Sequence, residues 1–153
     1  MIMNSSLSAP TLSIRRFQWD DLETITALMR ELNYPTTLSV MRERMEDMES
    51  SPLYCTLVAE VDGIVVGKIS LHHIVSFSRC EPTTQITAII VAKEYQGQGL
   101  GKRLIQQAED WSKGQGSTLL FLTSGNRVER APARAFYEHI GFTKTGYRFS
   151  KKL

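Results

Sequence analysis

The length, composition and charge of the chain favour one globular domain and exclude several classes of protein. The chain has 153 residues, of which 42% are hydrophobic, so it is long enough to bury a core of its own. Its 18 Lys and Arg against 16 Asp and Glu leave a formal net charge of +2, too small a field to recruit nucleic acid or an anionic membrane. We therefore predict a single domain over residues 1–153, with residues 1–10 flexible.

Cysteine content and hydropathy favour a soluble, cytoplasmic protein. Cys55 and Cys80 are too few for a disulfide framework and lack the spacing of metal ligands, so reduced thiols are favoured, with pairing of the two left open. The opening MIMNSSLSAP lacks the basic and apolar regions of a signal peptide, and no later run approaches the roughly 18 apolar residues of a membrane span. Neither a metal site nor membrane contact is predicted.

The first elements in chain order are a strand and two helices. LSIRRF, at residues 12–17, alternates apolar and polar positions, as a half-buried strand does. Asp20 and Glu23 form a capping box that begins a helix, which Tyr34-Pro35 ends, and Thr37 caps a second helix. The apolar positions that predict the two helices are Leu22, Ile25, Leu28 and Leu32, then Leu38, Met41, Met45 and Met48. The methionines are interpreted as core rather than as a substrate-binding wall.

Two antiparallel strands follow. YCTLVAE and IVVGKISLH are joined at Val61-Asp62-Gly63, where Asp-Gly supplies the positive backbone angles of a tight hairpin. His72 and His73 lie on opposite faces if the strand continues, so they cannot share a metal ion. Each is therefore interpreted as a structural or surface histidine.

The second half of the chain predicts two central strands with a helix between them. QITAIIV, at residues 85–91, and TLLFLTS, at 118–124, are nearly unbroken apolar runs, which are typical of strands buried on both faces. The intervening helix ends at Gly114, and its apolar stripe comprises Leu100, Leu104, Ala108 and Trp111. Strand, helix, strand in this order predicts a right-handed crossover between parallel strands.

The last predicted elements are a helix and a strand. Pro132 lies near the start of the helix in RAPARAFYEHIGF, and Gly141 provides its C-terminal cap. Residues 146–151 are predicted to form a final strand. The fold class is therefore α/β (α+β), with a mixed, mostly antiparallel sheet and helices on both faces.

The segment EYQGQGLGKRL, at residues 94–104, places a glycine-rich loop between a strand and a helix, an arrangement that binds anions, phosphate above all. A nucleotide P-loop would need glycine where Gln96 stands and Ser or Thr where Arg103 stands. The dinucleotide fingerprint would need its third glycine where Lys102 stands. Neither motif fits.

The segment Gln96-Gly97-Gln98-Gly99-Leu100-Gly101 closely resembles the acyl-CoA pyrophosphate loop of the GNAT superfamily of N-acyltransferases. AFYEHIGF, at residues 135–142, is similar to the last helix of that superfamily, with its tyrosine and Gly-Phe ending. The order of strands and helices is also similar. The resemblance implies a GNAT-like fold, a single N-acetyltransferase domain and acetyl-CoA as the acyl-donor co-substrate.

The resemblance also implies the cofactor-binding residues. They are Ile89, Ile90, Val91, Gln96, Gly97, Gln98, Gly99, Leu100, Gly101, Lys102 and Asn126. In the family the pantetheine arm pairs with the strand before the loop, as an added strand would. Asn126 precedes Ala133 by seven positions, where the common pattern has about three. The simpler alternative is a glycine loop that only eases a strand-to-helix turn.

The reaction implied by the resemblance is acyl transfer from a CoA thioester to an amine. Backbone N–H groups beside the central strand would stabilise the tetrahedral oxyanion. Tyr137 matches the family tyrosine that donates a proton or hydrogen bond to the departing sulfur, and is the catalytic residue predicted here. The alternative is a core tyrosine on the apolar face of the last helix.

The group that removes the proton of the amine is left open by the sequence. Glu81 and Glu94 are carboxylates near the central strand, and Gln85 stands where many relatives carry a carboxylate. A water relay that involves Thr87, Ser124 or a backbone carbonyl is an equal alternative.

The sequence also leaves open the role of five basic residues and the identity of the amine acceptor. The cations Arg127, Arg130, Arg134, Lys102 and Arg103 either hold CoA phosphates or form a solvated face. A small-molecule amine is the first expected acceptor, and a protein or peptide amine the second. A catalytically silent acyl-CoA-binding module and a nucleotide-binding domain are alternatives from other classes. A homodimer is an expectation from the family.

Overall fold

A computed structural model describes residues 11–153, so the predicted flexibility of residues 1–10 lies outside the described residues. It contains one five-stranded sheet in the order β1-β2-β3-β4-β5, in which only β4 and β5 are parallel neighbours. The strands are β1 Leu12–Arg16, β2 Tyr54–Val61, β3 Ile64–Ile74, β4 Thr83–Val91 and β5 Leu119–Leu122. The helices are α1 Leu22–Glu31, α2 Leu38–Glu49, α3 Leu100–Gly114 and α4 Ala131–His139. The predicted mixed, mostly antiparallel sheet is confirmed.

The entry into α1 differs from the predicted capping box. A 3₁₀ turn precedes α1, and its capping box is formed by Gln18 and Asp21 rather than by Asp20 and Glu23. Asp21 accepts two hydrogen bonds from the Arg15 guanidinium, at 2.8 and 2.9 Å, and this pairing lowers the pKa of its carboxyl. The ion pair between Arg15 and Asp21, six residues apart in the chain, therefore favours Asp21 as the acidic residue that caps the turn.

The second helix begins as predicted. Thr37 adopts an extended conformation, and its hydroxyl accepts a hydrogen bond from the Val40 amide at 3.2 Å. Met41 and Met45 are only 3% and 1% exposed, so the methionine stripe is core, as predicted.

The hairpin between β2 and β3 is also confirmed. Asp62 and Gly63 both have positive φ, +49° and +82°, as a tight two-residue hairpin turn requires. Strand β3 continues through Ile74, so His72 and His73 lie on opposite faces of the sheet.

Two apolar clusters cover the two faces of the sheet. Neighbouring residues of β2 belong to different clusters, Val58 to one and Leu57 to the other. The first cluster contains Met41 and Met45 and is covered by α1 and α2, whereas the second contains Leu104, is covered by α3 and α4, and also includes Leu28 of α1. Helices on both faces therefore follow from strands that bury both sets of alternate side chains.

Strand β4 has the predicted central place, between β3 and β5. The prediction for residues 118–124 was only partly right: β5 spans just Leu119–Leu122 and pairs on one side. None of its side chains is fully buried, because no described strand covers its outer edge.

The helix α4 is confirmed, with Pro132 in its first turn and Gly141, at φ +104°, just after its end. The predicted final strand was wrong: residues 146–151 form no strand, and Tyr147 and Phe149 are 83% and 93% exposed. These aromatic residues alternate with polar ones, which predicted a strand, but a strand is stable only when it pairs with a neighbouring strand, and residues 146–151 pair with none in the described chain.

The structure also bears on the cysteines and on membrane-spanning helices. Cys55 is buried and Cys80 exposed, and neither forms a disulfide. Within residues 11–153 no helix is long and apolar enough to cross a membrane.

The buried Lys68 of β3 gives the first testable prediction. It is 5% exposed, and burial, followed by the positive charge of Arg44, lowers its pKa from 10.5 to about 8. The charged form is thus disfavoured in the folded state by about 3 kcal/mol, a cost present below pH 8 and relieved as pH rises toward 10.5. Lys68→Met should therefore raise the free energy of unfolding in urea at pH 7, and its advantage should shrink at pH 10.

The matched control is Lys113→Met, at an exposed position near the end of α3. This variant should change stability little at either pH. A Lys68→Met variant that is less stable than the parent at pH 7 would contradict the account.

Candidate active site

The pairing of β4 with β5 ends after four residues. The paired positions run from Thr83 with Leu119 to Ile86 with Leu122, and beyond them the two strands have no further paired positions. At the point of separation, Thr87 is the extra residue of a β-bulge opposite β3, and its hydroxyl donates to the Ser70 carbonyl at 3.2 Å. Thr87 is exposed although β4 is central. The rest of β4 therefore has one edge that no strand of the described chain covers.

The candidate residues on that edge are Ile89, Ile90 and Val91. Ile90 is 6% exposed and belongs to the core, whereas Ile89 and Val91 are half-buried. The backbone on the β5 side is thus open while the side chains anchor the strand. Such an edge can accept an extended ligand as an added strand.

The glycine loop that follows β4 uses its three glycines in two ways. Gly97 and Gly99 have φ of +76° and +83°, the left-handed region that glycine adopts without strain. Gly101 is helical, and a Cβ there would lie 3.3 Å from the Phe136 ring of α4. The first two glycines therefore shape the turn, and the third lets α3 approach α4.

The glutamines of the loop hold its backbone in place. The Gln96 side chain donates to the Val91 carbonyl and the Gln98 side chain donates to the Glu94 carbonyl, each at 2.9 Å. Leu100, at 6% exposure, fixes the start of α3 in the core. Lys102 is exposed in the first turn of α3, which contains no acidic residue.

The amides at the start of α3 have no partner in the described chain. Among residues 11–153, no hydrogen bond is donated by the backbone N–H groups of residues 97–102, and no side chain caps the helix. These donors lie at the positive end of the α3 dipole. The loop is therefore built to receive an anion through its backbone.

Tyr137 on α4 lines a cavity of about 970 Å³ beside β5. Its ring packs between Phe136 and Phe142, at centroid distances of 5.5 and 5.9 Å. Burial raises the pKa of the Tyr137 phenol; Arg130 opposes this shift and Tyr34 adds to it. No hydrogen bond within residues 11–153 involves the Tyr137 hydroxyl. The phenol is thus protonated at neutral pH and able to donate.

Ser124 and Asn126 line the same cavity as Tyr137. Ser124 Oγ is buried and lacks a hydrogen-bond partner within residues 11–153, whereas Asn126 is exposed. Arg134 donates to the carbonyls of Gly125 and Arg127, at 2.6 and 2.8 Å, and so holds this loop. The predicted cation Arg134 is therefore engaged with the backbone.

The carboxylates considered as bases lie in unsuitable places. Glu81 is exposed in the loop before β4, and Glu94 is exposed in the turn that leads to the glycine loop. Neither stands on the paired stretch of β4 where the strands separate.

The structure adds His72 to the candidate residues, although the sequence pattern indicated only a structural or surface histidine. Cross-strand pairing places Tyr54, His72, Gln85 and Phe121 in one row, on the sheet face covered by α1 and α2. The His72 ring stacks on Tyr54 at a centroid distance of 4.2 Å. Burial, followed by the charge of the neighbouring His73, lowers the pKa of His72, while β4 presents the uncharged Gln85. The imidazole of His72 is therefore largely uncharged at pH 7 and has a ring nitrogen that can accept a proton.

Comparison with known proteins identifies the family. The model of the acetyltransferase (GNAT) family matches residues 17–142. The chain belongs to this family. The predicted membership of this family is thereby confirmed, and with it the assignment as an acetyl-CoA-dependent N-acetyltransferase.

Individual relatives cover the chain to different extents. An aminoalkylphosphonate N-acetyltransferase of Salmonella typhimurium is 26% identical over 145 residues, covering 94% of this chain and 93% of that protein. A probable N-acetyltransferase camello of Xenopus tropicalis is 30% identical over 115 residues, and the match spans 69% of this chain but only 48% of that protein. A solved aminoglycoside N-acetyltransferase in complex with CoA has a TM-score of 0.85 at 17% identity, covering 96% of this chain and 97% of that chain, which shows a common fold.

The residues present fit acetyl-CoA. Backbone donors suit a pyrophosphate, and an uncovered strand edge suits the amide-containing arm of the cofactor. Within residues 11–153 no three His, Cys, Asp or Glu side chains are grouped to hold a metal ion.

The second prediction compares two glycines in left-handed turns. Gly99 and Gly63 have φ of +83° and +82°, and a Cβ at either would meet no atom of residues 11–153 within 4 Å. Alanine at either position should cost about 1–2 kcal/mol of stability through backbone strain alone. Gly99→Ala should also weaken CoA binding, measured by isothermal titration calorimetry, whereas Gly63→Ala should leave it unchanged. Equal CoA affinity of the two variants would count against an anion site at the loop.

Proposed function

We propose that the protein transfers the acetyl group of acetyl-CoA to the primary amine of a small molecule by direct attack. The observation that carries the proposal is the continuity of two features: unpaired amides at the start of α3 and an uncovered edge of β4. When the diphosphate of acetyl-CoA binds the amides at the start of α3, the acyl arm of the same molecule would extend along the edge of β4.

In this arrangement each candidate residue has a defined role toward acetyl-CoA. The amides of residues 97–102 bind the pyrophosphate, and Lys102 adds a positive charge beside it. Gln96 and Gln98 hold the loop, and Leu100 anchors it. The backbone of residues 89–91 pairs with the pantetheine arm, and Asn126 contacts that arm from the opposite wall.

The chemical step exchanges one bond for another at the acetyl carbon. The neutral amine attacks the thioester carbonyl, a C–N bond forms, and collapse of the tetrahedral intermediate breaks the C–S bond. The backbone beside the Thr87 bulge supplies donors to the oxyanion. The Tyr137 phenol then donates to the departing thiolate, and the proton that the nitrogen loses as the amide forms restores the phenol; Ser124 Oγ lies in the same cavity as a second polar group.

The proton of the amine requires an acceptor, because an alkyl ammonium with a pKa near 10.4 is almost fully protonated at pH 7. We place this role on His72, acting through a water molecule beside Gln85. His72 stands one strand away from Gln85, a spacing of about 4.8 Å, and Gln85 lies two residues before the bulge.

A small acceptor is supported by the relatives. The Salmonella relative, which matches over nearly its whole length, is named for an aminoalkylphosphonate, and the solved relative is an aminoglycoside acetyltransferase. Both acceptors are small-molecule amines. The cytoplasmic location and the homodimer stay predictions.

Substitution of Tyr137 tests the reaction directly. Tyr137→Phe should lower kcat for acetylation of a primary amine about 10²-fold, because the departing thiolate loses its donor. Thiol release from acetyl-CoA in the presence of an amine panel measures the rate. Tyr95→Phe, at another half-buried tyrosine outside the cavity, is the control and should retain activity. Unchanged turnover in Tyr137→Phe would remove this residue from the mechanism.

The pH profile tests His72. Because its pKa is lowered below 6.5, the base form is present at pH 7 and is lost only as pH falls further. In the parent protein, kcat/KM for propylamine should therefore bend downward below pH 6.5. His72→Gln should lose this bend and about 10²-fold in rate.

His73→Gln is the matched control, because His73 lies on the other face, where its Nδ1 is 3.4 Å from Ser117 Oγ. This variant should keep both the rate and the bend. The same bend in His72→Gln would show that another group titrates.

A further inference from the structure

A second cavity lies between the end of α1 and the start of α2. It has a volume of about 840 Å³ and is lined by Arg30, Asn33, Pro35, Thr36, Thr37, Val40 and Arg44. Two of these residues are cations and none is acidic. The cavity is thus shallow and open to solvent, and its two charged side chains, the exposed Arg30 and Arg44, are both cationic.

Neither arginine is neutralised within the described chain. Both ion pairs found among residues 11–153 belong to Arg15. Arg30 donates from Nε to the Thr36 carbonyl at 3.0 Å, which orients the guanidinium and leaves its terminal nitrogens without a bond. Arg44 makes no hydrogen bond in this part of the chain. Two guanidinium groups are therefore available to a ligand.

The buried Lys68 adds a third cation beside Arg44. Its ammonium group forms no hydrogen bond or ion pair within residues 11–153, and the charge of Arg44 helps to lower its pKa to about 8. The repulsion between Lys68 and Arg44, neither of which forms an ion pair among residues 11–153, and the burial of Lys68 disfavour the charged form of this lysine in the folded state. Such an arrangement is relieved when an anion binds.

The cavity lies at α1 and α2, which cover the same face of the sheet as the proposed base His72. Lys68 pairs with Ile90 of β4, so it adjoins the stretch assigned to the acyl arm. Tyr34, which stands between the lining residues Asn33 and Pro35, is close enough to raise the pKa of Tyr137. The pyrophosphate loop, in contrast, begins α3 on the opposite face.

We propose that this cavity binds an anionic group of the amine acceptor, a phosphonate, phosphate or carboxylate, through Arg30 and Arg44. The inference rests on the proposed acetyl transfer to a small amine and narrows its substrate class to amines with an anionic tail. Guanidinium groups suit such anions because they offer paired donors in a plane. Lys68 acts from behind Arg44 through its charge.

A pair of acceptors that differ in one group tests the proposal. The probes are 2-aminoethylphosphonate and propylamine, which share a primary amine and differ in the anion. Arg44→Gln and Arg30→Gln should each lower kcat/KM for 2-aminoethylphosphonate about tenfold or more, because each removes charged hydrogen bonds. Both variants should keep the parent values for propylamine and for the KM of acetyl-CoA.

Arg42→Gln is the matched control, since Arg42 is an exposed arginine on α2 outside the cavity. It should leave both acceptors unaffected. Equal losses for both amines, or no loss for the phosphonate, would overturn the proposal. A loss of CoA affinity without an effect on the phosphonate would also overturn it, because the cavity would then hold a phosphate of the cofactor.

Direct binding separates this inference from the proposed function. Titration of 2-aminoethylphosphonate into the protein by calorimetry should show binding that Arg44→Gln weakens about tenfold, whether or not acetyl transfer occurs. If binding depends on Arg44 while no amine is acetylated, the proposed function fails and the anion site stands. If the phosphonate does not bind to the parent protein, the anion site fails.

Discussion

The separation of β4 from β5 is the constraint on which the candidate site depends. Two parallel strands that pair over only four positions leave the central strand with an open edge inside the sheet. The bulge at Thr87 occurs at the same place and turns the β4 backbone away from regular pairing. A ligand can complete the interrupted ladder, since unpaired backbone groups of a strand are costly when water is excluded.

The helices place the remaining candidate residues around the open edge of β4. Gly101 allows α3 to approach Phe136, so the start of α3 and the Tyr137 helix are held together at one end of the open edge. On the other face, α1 and α2 leave His72 half-buried and Lys68 buried. The groups proposed to bind the donor and those proposed to act on the acceptor therefore lie on opposite faces of the sheet.

Local sequence patterns predicted an element correctly where residues close together in the chain determine its structure. The Thr37 cap, the Asp62-Gly63 hairpin and the glycine loop each depend on residues that are adjacent in the chain. Pairing between separate elements could not be derived this way: Arg15 of β1 pairs with Asp21 in the turn before α1, and residues 146–151 alternate without forming a strand. The pairing of His72 with Gln85 likewise depends on cross-strand register, and the proximity of Lys68 to Arg44 depends on the packing of α2 against the sheet.

The most direct test of the central claim is amide hydrogen exchange with and without CoA, resolved to single residues by NMR. The account predicts that CoA slows exchange at residues 97–102 and along Ile89–Val91, with no comparable change at the Asp62-Gly63 turn. Protection confined to other segments, or none at the glycine loop despite saturating CoA, would contradict it.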